Sequence, residues 1–117
     1  MSLDIGLRIT IDVGSSEPYD VELYDANYTH NVTPMWGEAG VFDVLYGREE
    51  WADDQRTAAM AIPVLEAGLK RMQDDPEVYS AMNPSNGWGS YEGALVFLSK
   101  LLEACRQYPK ATFWRWA

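Results

Sequence analysis

The order of apolar and polar positions divides this chain before any single residue does. Residues 7 to 13 alternate without a fault, with Leu7, Ile9, Ile11 and Val13 on one side and Arg8, Thr10 and Asp12 on the other. Period two with β-branched aliphatics predicts a half-buried strand. Gly14 to Pro18 is turn material, and Tyr19 to Tyr24 resumes the alternation with Tyr19, Val21 and Leu23 facing one way. A loop of that length joins antiparallel neighbours, so the two segments are expected to form a hairpin.

After a polar run from Asp25 to Asn31, helical spacing takes over. Val32, Met35, Trp36 and Ala39 fall at i, i+3, i+4 and i+7, an apolar helix stripe. Pro34 belongs in a first turn, where its missing N–H costs nothing, which leaves Thr29, Asn31 or Thr33 as the N-cap. Gly40 suits the position just past a helix end, and Val41 to Tyr46 then reads as a second short helix stopped by Gly47. One helix continuing through Gly40 is the alternative. A long helix follows to about Met72, with Ala58, Ile62, Leu65, Leu69 and Met72 on one face and a kink expected at Pro63. The carboxylates before it, Glu49, Glu50, Asp53 and Asp54, are better read as capping charge than as a metal site.

Asp75, Pro76 and Glu77 open a short helix that runs to about Ala81. Ser90 is the predicted N-cap of the clearest helical pattern in the chain. Between Tyr91 and Tyr108 it places Ala94, Leu95, Leu98, Leu101, Leu102 and Cys105 on a buried face, with Phe97 beside it, and Pro109 stops it. Ala111 to Trp116 is short, aromatic and β-prone, a third strand for the hairpin. The whole order predicts one α+β domain over residues 1–117: a small antiparallel sheet with four to five helices packed on one face.

Composition narrows the function classes. No apolar run reaches the ~20 residues that span a bilayer. Residues 1 to 6 lack the basic and apolar regions of a signal peptide, so a cytoplasmic protein is expected. Cys105 is the only cysteine and His30 the only histidine, which excludes an intrachain disulfide and the usual cysteine or multi-histidine metal centres. Eighteen acidic residues against nine basic ones give a net charge of -9. A phosphate-binding surface needs clustered Lys and Arg, so direct nucleic-acid binding is not expected. The acidity itself reads as solubility, or as a surface that imitates nucleic acid to occupy a partner.

Two polar-aromatic stretches remain for function: Tyr24 to Trp36 and Asn83 to Glu92. Asn27-Tyr28-Thr29-His30-Asn31 before Met35-Trp36, paired with Pro84 to Gly93 before a helix that reaches Cys105, resembles small uncharacterised proteins of bacteriophage and bacterial genomes. The likeness covers roughly residues 20 to 110. It implies a phage or prophage origin and carries no activity with it.

The residues themselves say more. Asn83-Pro84 and Asn86-Gly87 are turn pairs, and glycines on both sides of Trp88 allow a ligand or another backbone to approach closely. Trp88 is either a stacking platform or a plug over the core, the plug being the commoner arrangement. The preferred reading is a non-enzymatic binding module that engages a host protein or a small polar ligand. Asn27, Tyr28, His30, Asn31, Trp36, Asn86, Trp88 and Tyr91 would line its site. The alternative is a small hydrolase or transferase with His30 as general base beside Asp25 or Glu92. No phosphate loop, nucleophile elbow, cofactor motif or metal signature is present, and nothing in the pattern sets an oligomeric state. Both readings require the loops around His30 and Trp88 to meet.

Overall fold

Three antiparallel strands form the sheet of a computed structural model that describes residues 2–117. They are β1 (Ser2–Ile11), β2 (Tyr19–Thr29) and β3 (Thr112–Trp116), in the spatial order β2-β1-β3. Helices α1 (Thr33–Ala39), α2 (Phe42–Tyr46), α3 (Ala58–Asp74), α4 (Pro76–Ser80) and α5 (Tyr91–Gln107) complete the α+β fold. Leu3, Ile5 and Leu7 of β1 and Phe113 of β3 point into one core with Trp36, Leu65, Leu98 and Leu101 from the helices. Among the described residues, no helix covers the opposite face of the sheet. There Trp114 lies across Gly6, where a Cβ would come within 2.4 Å of the indole nitrogen.

Both hairpin strands depart from their expected bounds. The first starts at Ser2 rather than residue 7, and its buried residues are Leu3, Ile5, Gly6 and Leu7, whereas Ile11 and Val13 are exposed. Period two records which side of a strand a residue takes, not whether a helix covers that side. Here the covering helices stop short and the hairpin tip projects, with Tyr19 and Val21 exposed beside Ile11. The projection helps to explain extents of 53 × 27 × 23 Å and a radius of gyration of 14.9 Å. A compact chain of this length has about 13 Å.

The second strand runs on to Thr29 through residues expected to be loop. Leu7 pairs with Tyr24 and Arg8 with Glu22, which leaves Leu23 unpaired in a β-bulge. The extra residue shifts the alternation by one, so that Tyr24, Ala26 and Tyr28 take over the inner face. The strand therefore continues in a new phase.

The helix ends follow the glycines. Gly40 (φ 77°) and Gly47 (φ 67°) stop α1 and α2, so the break at Gly40 is real. Each short helix also receives an arginine from elsewhere. Arg71 of α3 donates to the Ala39 carbonyl at 2.8 Å, and Arg115 of β3 donates to the carbonyls of Val44 at 2.7 Å and Leu45 at 3.1 Å. Burial pushes the Arg115 guanidinium down to about 10. Gly68 of α3 lets that helix close on Val41, since a Cβ would sit 2.3 Å from its Cγ1. α3 passes Pro63 without interruption.

The acidic cluster does not cap α3. Glu49 to Ala52 form a single 3₁₀ turn, Asp53 accepts from the Gln55 N–H, and no carboxylate stands in the first turn of α3. The main chain ahead of β3 does the capping, as the N–H groups of Ala58 and Ala59 donate to the carbonyls of Ala111 at 2.8 Å and Pro109 at 2.9 Å. A partner about fifty residues away in sequence leaves no local signal.

Candidate functional site

Thr29 ends β2 and accepts from the Asn31 N–H, turning the chain through His30–Val32 into α1. The loop before α5 is built with equal local economy. Asn86 accepts from the Trp88 N–H at 3.0 Å, Asn83 accepts from the Tyr91 N–H at 2.7 Å, and Ser90 caps α5 by accepting from the Gly93 N–H at 3.0 Å. Positive φ at Gly87 (76°) and Gly89 (100°) sets Trp88 between two turns that only glycine adopts freely.

These two segments meet. At Gly89 a Cβ would lie 2.6 Å from the Thr29 methyl and 2.9 Å from the Val32 Cγ1, so the loop rests on the β2–α1 turn backbone first. Tyr28 fastens them, its hydroxyl accepting from the Ser90 N–H at 3.0 Å and donating to the Ser90 carbonyl at 3.3 Å. Its ring packs on Phe97 and Trp36, with centroids 5.6 Å and 6.4 Å away.

Between the segments lies an open cleft of about 520 Å³ lined by Ser2, Asn27, Thr29, Asn31, Asn86 and Trp88. All six lining side chains are uncharged: three amides, two hydroxyls and one indole. Trp88 is 69% exposed, so it does not plug the core. Asn27 spends its amide N–H groups on Ser2 and on the Asp4 carboxylate, both at 2.8 Å, which holds the side chain in one orientation. Ser2 and Thr29 join the lining because β1 begins earlier than its alternation predicts and because β2 continues past its bulge to Thr29.

Other sequence-derived candidates stand elsewhere. Trp36 is a fully buried core residue rather than a lining one, as its place on the apolar stripe of α1 requires. Tyr91 is likewise buried, donating its hydroxyl to the Met72 carbonyl at 2.6 Å. His30 faces Tyr46, with Nδ1 2.7 Å from the phenol oxygen and Tyr46 stacked in turn on Phe42. Asp25 and Glu92 line a separate groove between β2 and α5. Among the described residues, neither carboxylate hydrogen-bonds to His30.

Burial pushes the Cys105 thiol up to about 12, which suits a core residue and not a nucleophile. Among the described residues, no three His, Cys, Asp or Glu side chains gather as a metal would require, and no helix is long and apolar enough to cross a membrane. Comparison with known proteins finds no family model, curated protein or solved structure that matches the chain.

Proposed function

We propose that the chain is a non-catalytic binding module, phage or prophage encoded, whose site is the Trp88 cleft and whose ligand is small, uncharged and polyhydroxylated, such as a sugar unit. The observation that carries this reading is a 69% exposed indole held beside a cleft of amides and hydroxyls. An indole face stacks on the C–H face of a pyranose ring, while asparagine amides offer a donor and an acceptor to neighbouring hydroxyls. A charged ligand would need a compensating charge, and the cleft lining has none.

The magnitudes set the affinity. Two or three hydrogen bonds at ~1 kcal/mol each and a stacking contribution of ~1–2 kcal/mol total about 4 kcal/mol. That corresponds to a dissociation constant near 1 mM for one sugar ring, tightening as further rings are engaged. The test is a glycan array probed with the full chain and with Trp88→Ala. Binding to neutral glycans that disappears in the variant supports the reading. Absence of glycan binding, or equal binding by the variant, defeats it.

A further inference from the structure

A second opening runs along the same strand. Between the free edge of β2 and α5 lies a groove of about 640 Å³. One wall is the five consecutive residues Tyr24 to Tyr28; the other is a single face of α5 carrying Glu92, Val96 and Lys100. Gly93 lies against the Tyr28 hydroxyl, so α5 runs antiparallel to β2 and Lys100 stands at the Tyr24 end. The walls match in length, at about 12 Å along the helix and about 14 Å along the strand.

The edge of β2 is unfilled. A Cβ on Gly6 would sit 2.2 Å from the Tyr24 carbonyl oxygen, so that carbonyl points into β1. Pairing is regular from Leu7–Tyr24 to Ser2–Thr29. Alternation along an antiparallel ladder then assigns Tyr24, Ala26 and Tyr28 to β1, and turns the N–H and C=O of Asp25 and Asn27 toward the groove. Among the described residues, no main-chain bond outside the sheet ladder uses those groups. Two donor–acceptor pairs at a two-residue spacing are what another strand engages.

The side chains add selectivity. Ala26 is the small residue between two tyrosines, and Val96 opposite is 52% exposed, which together leave an apolar seat. Asp25 and Glu92 put carboxylates on both walls, on a chain whose net charge is -9. We propose that this groove binds an extended segment of a partner protein as a fourth strand along β2. An aliphatic side chain of the segment sits on Ala26 and Val96, and a lysine or arginine faces Glu92 at the Tyr28 end. This site is independent of the Trp88 cleft and touches it only at Asn27.

The test uses a display library of random twelve-residue peptides selected on the intact chain, followed by synthesis of the enriched sequence. Enriched peptides should alternate aliphatic residues and carry lysine or arginine, and the synthetic peptide should protect the Asp25 and Asn27 amides from hydrogen exchange. Asp25→Pro removes an outward N–H without touching the ladder to β1 and should weaken binding at least ~10-fold. Val96→Glu, at an exposed helix position, should do the same and serves if the proline variant fails to fold. Trp88→Ala should leave peptide affinity unchanged. No enrichment over a blank surface, or parental affinity in both groove variants, overturns the proposal. So does protection of the two amides by self-association without peptide.

Discussion

Removing one oxygen atom, in Tyr28→Phe, tests how the binding loop is held. The ring keeps its packing on Phe97 and Trp36, so no cavity opens beyond a hydroxyl. What is lost is the acceptor for the Ser90 N–H at 3.0 Å and the donor to its carbonyl at 3.3 Å. The first is a well-formed bond worth ~1 kcal/mol, the second is long and worth less, and the half-buried N–H is left unpaired, so the loss is about 1–2 kcal/mol. Unfolding entropy of ~2.1 cal/mol/K per residue makes that a fall of roughly 4–8 °C in Tm.

Gly93→Ala attacks the same joint from the helix side, since its Cβ would meet the Tyr28 hydroxyl at 2.1 Å and Cζ at 3.0 Å. Overpacking at ~1–3 kcal/mol outweighs a helix-propensity gain of at most ~1 kcal/mol. With the hydroxyl gone, the closest contact disappears, so the double variant should lose at least ~1 kcal/mol less than the two single variants combined. Urea denaturation of all four proteins measures this, and hydrogen exchange at Ser90 locates it. Additive effects, or a Tyr28→Phe loss under ~0.3 kcal/mol, would refute the latch.

Further predictions concern the core. Arg115→Met keeps the unbranched stem of the side chain but strips the donors from the carbonyls of Val44 and Leu45. A loss of ~1–3 kcal/mol is expected, with amide exchange accelerating first at Leu45 to Gly47; unchanged exchange there would contradict the capping role. Cys105 gives a pH dependence. The folded thiol titrates near 12 and the unfolded one at 9.0, so above pH 9 the folded state keeps a proton that the unfolded state has lost. Stability is therefore full below pH 9 and falls by up to ~1.4 kcal/mol per unit as pH rises above it. Between pH 9 and 10 the slope should be shallower in Cys105→Ala, the remainder coming from Tyr24, Tyr46, Tyr79 and Tyr91, which burial also shifts up; an unaltered slope would place its origin elsewhere.

Much of the fold was legible because its signals are local. The α5 face, the Ser90 cap and the stops at Gly40 and Gly47 each depend on residues within one or two turns. The misreadings fall where distant partners decide. One unpaired residue, Leu23, reversed the alternation and made the second half of β2 look like loop. Ile11 and Val13 alternate as well as Leu7 does, yet none of the described residues reaches far enough to bury them. The loop carrying Trp88 was recognisable by its turn chemistry, whereas its contact with Thr29 and Tyr28, more than fifty residues away, was not. Tyr91 and Trp36 shared the composition of a binding surface and were claimed by the core, which the helical spacing of each already favoured.

The central claim is that Trp88 and the amides around it form the recognition surface. It is tested most directly by ¹H–¹⁵N spectra of the chain titrated with the best neutral glycan from the array. The account predicts that the Trp88 indole N–H and the side-chain amides of Asn31 and Asn86 shift together, with one dissociation constant. The bare sheet face carries a rival aromatic in Trp116, which is 75% exposed. Shifts confined to Trp114 and Trp116, with the Trp88 signal unmoved, would contradict the account.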